Sequence, residues 1–292
     1  MPETNRLPPW FKQEIPDLEK IRGMKNLFRE TGLHTVCESA HCPNIGECWG
    51  RGTATFMILG DVCTRACRFC AVATGKPLPV DPHEPAHVAG AIQKLNLKFV
   101  VITSVARDDL PDEGAAQFAK TIFEIRRLLP EIKIEILIPD FSGKFENIKI
   151  VTDAKPDVIS HNIETVARLS KKVRPQAEYQ RSLETLKIMR ELDPSMIVKS
   201  SLMAGLGERC DEVETTMKDL LEAGCDILTI GQYLAPSQLK RHVPVERFVT
   251  PEEFESYKAL GLSLGFKYVA SGPLVRSSYL AEEGYKECLA LV

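Results

Sequence analysis

Three cysteines fall within eight residues at Cys63, Cys67 and Cys70, a C-x3-C-x2-C run directly after the apolar segment Phe56-Met57-Ile58-Leu59-Gly60. Soft thiolates select zinc or iron–sulfur clusters, and both take four ligands. The loop therefore leaves one position for something else. On a 4Fe-4S cluster, three irons would take Cys63, Cys67 and Cys70, and the fourth would be free to hold a small molecule. An open coordination position usually goes with chemistry and a closed one with structure. The competing reading is a structural zinc site completed by His41 or by another cysteine. Disulfides fit less well, because such short spacings suit a common metal centre and the chain lacks the short, secreted profile of a disulfide scaffold.

A second thiol group, Cys37, Cys42 and Cys48 in C-x4-C-x5-C spacing, ends fifteen residues upstream of Cys63. Pro43 and Gly46 inside it argue for an irregular loop rather than a helix. Three plus three thiols would overfill one four-ligand centre. Two separate cofactors are the simpler count, each short of one protein ligand from its own loop. Of nine cysteines, Cys210, Cys225 and Cys288 stand alone and read as packing residues.

A scaffold must hold these loops, and composition bounds it. With 292 residues, 44% of them hydrophobic, the chain can bury a large core as one big α/β domain or two ordinary ones. A net charge of −3 gives no basic footprint for nucleic acid. No apolar run approaches membrane-spanning length. The stretch Met1 to Trp10 lacks a signal-peptide h-region and a transit-peptide pattern. These features lead us to expect a cytoplasmic protein in a reducing compartment, where nine cysteines argue for metal or redox use.

Residues 1–36 hold a Pro-rich lead (Pro2, Pro8, Pro9, Pro16) and an amphipathic stretch, Leu18 to Leu33, with Leu18, Ile21, Met24, Leu27 and Phe28 at helical spacing. From residue 53 to about 231, apolar runs alternate with helical periods. The spacing predicts strands at 55–60, 98–103, 132–138, 157–160, 196–202 and 226–231, and a clear helix over 113–129. Such βα units imply a parallel sheet closed as a partial (β/α)6 barrel of the TIM type. A flat doubly wound sheet is the alternative, but the loop after the first strand is thiol-rich rather than Gly-rich.

Barrels place their working residues at the carboxyl ends of strands. After successive strands come Ser104, Arg107, Asp108, Asp109, Asp112 and Glu113, then Asp140, then His161, Asn162 and Glu164; Lys199, Ser200 and Ser201 fall in the fifth strand, and Gln232 and Tyr233 follow the sixth. One such residue is ordinarily a cap or turn former. A polar residue after nearly every strand implies a shared face, the one that carries the first thiol loop. Beyond 245, Thr250-Pro251-Glu252-Glu253 opens a helix with a capping-box Thr and Pro at its first position. A last strand and turn cover Lys267 to Tyr279. By spacing alone Arg276-Ser277-Ser278-Tyr279 reads as a polar surface loop, and the run Arg168, Lys171, Lys172, Arg174 as a solvated face or a docking site for an acidic partner.

Taken together, both thiol groups, Arg276-Ser277-Ser278-Tyr279, Glu38 to Asn44, Arg107-Asp108-Asp109-Leu110, His161-Asn162-Ile163-Glu164-Thr165, Val173-Arg174-Pro175 with Tyr179, and Ala270 to Leu274 carry a resemblance. Over nearly its whole length the chain resembles the lipoyl synthases of the radical S-adenosylmethionine (SAM) superfamily. It departs from their usual pattern at Glu113, often Gly, and at Ala106, often acidic. The resemblance implies three parts: an N-terminal extension, 1–52, carrying an auxiliary cluster; the barrel, 53–245; and a C-terminal extension, 246–292, with the serine motif.

The resemblance also implies two 4Fe-4S clusters. The catalytic one, on Cys63, Cys67 and Cys70, binds SAM through its fourth iron, and an electron cleaves SAM to methionine and a 5′-deoxyadenosyl radical. The auxiliary one, on Cys37, Cys42, Cys48 and a serine of the terminal motif, is the sulfur donor. Neighbours in an extended segment point opposite ways, so only one of Ser277 and Ser278 should face the iron, and the resemblance implies Ser278. Asn162 and Glu164 are expected near the SAM ribose, and Arg174 near its carboxylate or the substrate. The implied reaction inserts sulfur at C6 and C8 of an octanoyl group on a carrier-domain lysine, in 2-oxoacid dehydrogenases or the glycine cleavage H protein, using two SAM per lipoyl group. Implied partners are a reduced ferredoxin- or flavodoxin-type donor and an iron–sulfur cluster carrier, with no nucleic acid and no membrane. Rival readings are a biotin synthase kind of enzyme acting on a free small molecule, a two-cluster electron-transfer protein and a zinc-stabilised binding module.

Overall fold

The computed structural model describes residues 7–12, 18–40, 42–50 and 53–290. Pro2, Pro16, His41 and the junction at 51–52 lie outside the described residues. The amphipathic stretch forms α1 (Leu18–Thr31), which turns Met24 and Phe28 inward. The Phe28 ring meets those of Trp49 and Phe56 at 5.6 and 5.5 Å. A two-residue β1 (His34–Thr35) runs antiparallel to β2 (Thr55–Ile58).

Between them the chain makes two short helices, α2 (Val36–Ser39) and α3 (Ile45–Gly50), where Pro43 and Gly46 led us to expect an irregular loop. Thr35 caps α2, its hydroxyl accepting from the Glu38 N–H at 3.2 Å. Trp49, 1% exposed, ties α3 into the core. Tertiary packing overrides weak local propensity here.

After β2 the first thiol loop carries a small parallel ladder, β3 (Val62–Cys63) with β4 (Ala73–Thr74). The wall continues with α4 (Glu84–Lys94), β5 (Phe99–Ser104), α5 (Ala115–Leu128), β6 (Lys133–Leu137), α6 (Phe145–Asp153) and β7 (Val158–Ser160). Then follow α7 (Ala167–Val173), α8 (Tyr179–Leu192), β8 (Ile197–Ala204), α9 (Cys210–Glu222), β9 (Ile227–Gln232), α10 (Pro251–Leu264), β10 (Tyr268–Gly272) and α11 (Ala281–Ala290).

The sheet order is β1-β2-β5-β6-β7-β8-β9-β10, and every pairing from β2 onward is parallel. No ladder joins β1 to β10 among the described residues, so this is the open, partial (β/α)6 barrel of the sequence reading with β10 as a seventh parallel strand. The six expected strands are found within two residues of their ends. They are legible because helices cover one face and the barrel interior the other, leaving near-continuous apolar runs such as Phe99 to Ile102, all buried. α10 opens as anticipated: Thr250 and Glu253 cap each other reciprocally, at 3.3 and 3.1 Å, with Pro251 in the first turn. No helix among the described residues is long and apolar enough to cross a membrane.

Lys199 is not at a strand end. β8 starts at Ile197, which puts Lys199 low in the barrel, where its ammonium meets Glu135 of β6 at 2.8 and 2.9 Å. Both side chains are at most 3% exposed. Beneath them Tyr285 and Cys288 of α11 pack on Val158, Ile197 and Ile227, residues at the start of β7, β8 and β9. Burial pushes the Glu135 carboxyl up, and the Lys199 charge opposes that rise. Lys199→Met should therefore cost about 3–5 kcal/mol by stranding a buried carboxylate, whereas adding Glu135→Leu should restore most of it. Urea unfolding of the two variants checks this, and a double variant as unstable as the single one would contradict it. Cys225 and Cys288 pack as expected, at 3% and 1% exposure. Cys210, at the start of α9, is exposed and does not.

Candidate active site

At the carboxyl end of β2, Leu59 and Gly60 take positive φ (69° and 88°) and turn the chain into the first thiol loop. Arg65 locks this loop to the barrel. It is 8% exposed, and its guanidinium bridges Asp108 after β5 and Asp140 after β6, at 2.6 and 2.7 Å. Burial alone would raise both carboxyls, but the Arg65 charge outweighs it and holds them below the usual range.

Backbone bonds complete the cradle. Thr64 donates its N–H and hydroxyl to the Ala106 carbonyl, at 3.1 and 3.0 Å. The Ala66 N–H donates to Gln176 Oε1 at 2.8 Å, and the Arg68 N–H to the Val173 carbonyl at 2.8 Å. His242 Nε2–H donates to the Cys70 carbonyl at 3.1 Å. The amides of Arg65 and Ala106 donate to Cys63 Sγ at 3.4 and 3.3 Å. Arg65 is absent from the residues that spacing alone points to. An arginine between the first two cysteines of the loop, with aspartates after two of the strands, was the available signal.

The second thiol group sits across the barrel mouth, Cys37 on α2, Cys48 on α3 and Cys42 between them. The terminal motif lies against it rather than on the surface. Asn44 Nδ2 donates to the Leu274 carbonyl at 2.6 Å, and the Tyr279 hydroxyl to Glu47 Oε1 at 3.1 Å. Burial lowers the Arg276 pKa, and the facing Cys42 sulfur, when charged, offsets this. Gly231 at the end of β9 permits the approach: a Cβ there would stand 2.0 Å from the Val275 carbonyl oxygen.

Both groups line one cavity of about 1140 Å³. Cys37, Cys42, Cys48, Ser277 and Ser278 form part of its wall, and so do Cys63 and Cys70. Of the strand-end residues, Ser104, Asn162, Glu164, Ser201, Gln232 and Tyr233 reach it. The others are committed elsewhere: Arg107 to Asp109 at 2.8 Å, Asp108 and Asp140 to Arg65, and Glu113 to Lys144 at 2.8 Å. Glu113 adopts φ 51°, the left-handed conformation that suits the glycine often found there in the family it resembles.

Asn162 Nδ2 donates to Glu164 Oε1 at 3.0 Å. Burial pushes the Glu164 carboxyl up, opposed by Arg174 and by this amide. Glu164 also holds φ 65°, a strained conformation of the kind that gathers at functional sites. Arg174 does not line the cavity. It is 4% exposed and donates to the carbonyls of Asn162 and Ile163, at 3.1 and 2.7 Å, and to the Ser182 hydroxyl at 2.9 Å. It thus fixes the segment that presents Asn162 and Glu164. Arg168 pairs with Glu212 at 2.7 Å, Lys172 with Glu246 at 3.4 Å, and Lys171 donates to the Pro175 carbonyl at 3.0 Å. Three of that run are therefore tied locally, and Arg174 faces inward.

His161 lies behind the same segment. Its Nδ1–H donates to the Ile138 carbonyl at 2.9 Å and its Nε2 accepts from the Ser182 hydroxyl at 3.0 Å. Burial, with the Arg174 charge, lowers its pKa to about 4 from 6.5. Above pH 6.5 the ring is neutral in both states and nothing is lost. Between 6.5 and 4 only the unfolded chain takes up the proton, so stability falls with pH, by about 2 kcal/mol from pH 6.5 to 5. His161→Asn should flatten that slope in urea midpoints, and an unchanged slope would count against a buried neutral ring.

The donors suit iron–sulfur clusters. Two sets of three soft thiols each leave one coordination position. The indole N–H of Trp49, buried and without a hydrogen-bond partner, lies beside Cys37, where a thiolate would accept it. Burial raises the thiols of Cys37, Cys42 and Cys70, and that of Cys67 to about 12, so metal must displace their protons. Among the described residues no three His, Cys, Asp or Glu side chains are gathered as around a single ion. A polar ligand also finds partners, since Asn162 Oδ1 and Ser104 Oγ, both in the cavity wall, are buried and unbonded.

Comparison with known proteins agrees. The radical SAM superfamily pattern matches residues 57–231, and that of the N-terminal domain of lipoyl synthase matches residues 2–42. A lipoyl synthase from Rubrobacter xylanophilus is 57% identical over 276 residues, 94% of this chain and 85% of the relative. One from Caldanaerobacter subterraneus subsp. tengcongensis is 55% identical over 281 residues, 96% and 98% of the two chains. In structure, HydG, a maturase of the FeFe-hydrogenase, is similar at TM-score 0.57 and 14% identity, over 94% of this chain and 64% of that one, which shows the shared fold. The barrel, the two facing thiol groups and these full-length relatives place the chain in the lipoyl synthase family of the radical SAM superfamily.

Proposed function

We propose that the reaction of this lipoyl synthase, sulfur insertion at C6 and C8 of an octanoyl group carried on protein, is run in the single cavity between its two thiol groups. The observation that carries this reading is that Cys37, Cys42, Cys48, Cys63, Cys70 and Ser278 all line that one cavity. An octanoyl C–H bond has no acidic proton and no leaving group, so side-chain acid–base or nucleophilic chemistry has no purchase on it. Two 4Fe-4S clusters and SAM supply the hydrogen-abstracting and sulfur-donating chemistry when bound, and the protein positions and shields.

In this reading Cys63, Cys67 and Cys70 hold the catalytic cluster, on a loop kept rigid by Arg65. Asn162 and Glu164 offer hydrogen bonds to the SAM ribose, and Arg174 holds them in place from behind. Met57, Leu202, Met203, Val245 and Phe248 give the cavity an apolar side suited to an acyl chain. Cys37, Cys42, Cys48 and Ser278 hold the auxiliary cluster. A hydroxyl is a poorer ligand than a thiolate for this iron, which suits a cluster that must give up sulfur.

Functionally the chain divides into 1–52 with the auxiliary thiols, the barrel 53–245, and 246–292 with the serine motif. It works in the cytoplasm with a reduced ferredoxin- or flavodoxin-type donor and an iron–sulfur cluster carrier that rebuilds the auxiliary site. Anaerobic incubation of reconstituted protein with SAM, dithionite and an octanoyl-lysine peptide tests it. Mass spectrometry should show two added sulfurs alongside deoxyadenosine. An unmodified peptide beside fully loaded enzyme would refute the reading.

A further inference from the structure

The two cavity-facing thiols of the first loop are Cys63 and Cys70, and Cys67 is not part of the cavity wall. Cys67 is half-buried at the outer turn of its loop, next to exposed Ala66. Two segments flank this turn. The Arg68 N–H donates to the Val173 carbonyl at 2.8 Å, and the Val243 N–H donates to the Arg68 carbonyl at 3.0 Å. The Arg68 guanidinium reaches the carbonyls of Lys240 and Arg241, both at 3.2 Å. Arg68, Lys171, Lys172, Lys240 and Arg241 thus surround the outer turn, all but half-buried Arg68 exposed. The carboxylate paired into this ring is Glu246, on Lys172 at 3.4 Å. Glu178 nearby is taken by Arg181 at 2.6 Å. Five cations against one carboxylate leave an excess of four positive charges, on a chain whose net charge is −3.

From this placement we propose that the basic ring around Cys67 is the docking surface of an acidic one-electron carrier protein. The inference rests on the functional reading above and adds where the electron enters. A reductant must approach the catalytic cluster without displacing SAM or the acyl chain, and the outer turn at Cys67, outside the cavity wall, offers that approach, Lys240 alone of the five cations reaching the wall. Complementary charge would steer a weakly binding, fast-exchanging partner there. The octanoylated carrier domain must instead present its acyl-lysine at the cavity mouth.

The test measures binding of a purified flavodoxin to the reconstituted enzyme across a salt series, with Lys171→Glu/Arg241→Glu against Lys149→Glu/Lys258→Glu. The first pair should weaken binding about tenfold or more and flatten its salt dependence, and the second should leave both unchanged. Deoxyadenosine formation driven by flavodoxin and its reductase should fall in the first variant, while that driven by dithionite is preserved. Unchanged flavodoxin affinity would overturn the proposal. So would an equal loss with dithionite, or weakened binding of an octanoylated carrier domain in place of flavodoxin. If the unaltered chain fails to insert sulfur with dithionite, the functional reading is at fault, and flavodoxin affinity still decides the surface.

Discussion

Cys67→Ala should leave a protein that binds about four irons instead of about eight and forms no deoxyadenosine from SAM. Its counterpart, Cys42→Ala, should also fall to about four irons yet still cleave SAM, with no sulfur reaching the octanoyl peptide. The two outcomes differ because the thiol groups belong to separate supports. Cys67 stands on a loop held by Arg65, Asp108 and Asp140 of the barrel, and Cys42 lies between α2 and α3, against Arg276. The two thiol groups share the cavity and the core beneath it, but each is held by its own set of polar contacts. Iron and sulfide analysis with deoxyadenosine quantification reads both variants. Loss of all iron from either, or loss of SAM cleavage in both, would mean that the two sites are not independent.

Gly231→Ala should cut sulfur insertion by about a hundredfold while SAM cleavage continues. The added methyl would meet the Val275 carbonyl oxygen at 2.0 Å and its carbon at 2.9 Å. Both are backbone atoms, so no rotamer change relieves the clash, and the segment from Pro273 to Tyr279 must move. Ser278 moves with it, away from the thiols of Cys37, Cys42 and Cys48. Overpacking should add about 1–3 kcal/mol of destabilisation. Gly272→Ala is the matched control, because its methyl would make only an ordinary contact with Val275 Cγ2 at 3.4 Å. Equal sulfur insertion by both variants would show that the approach of the terminal motif to β9 does not set the site.

The barrel is legible in the sequence because each strand is buried on both faces and each long helix carries one apolar stripe. The six grouped cysteines are legible because thiols are scarce and these are clustered. What holds them is harder to read, since it depends on contacts between residues far apart. Asn44 meets Leu274 across 230 positions, and no local pattern announces it. Arg276-Ser277-Ser278-Tyr279 reads as a surface loop until α2 and α3 are set against it. Lys199 and Arg174 show the same limit. Lys199 falls inside the fifth strand in the sequence as in the structure, but only the fold brings Glu135 of β6 against it. A cation beside other cations looks solvated until the fold turns it inward. Ser278 is singled out by family resemblance, and the structure shows it in the cavity wall alongside Ser277.

The most direct measurement is an anaerobic crystal structure of the reconstituted protein with anomalous scattering at the iron edge. The account predicts two separate four-iron peaks, one at Cys63, Cys67 and Cys70, and one at Cys37, Cys42 and Cys48 with the Ser278 oxygen on its remaining iron. A single peak shared by the six thiols, or a lone metal ion at either group, would contradict it.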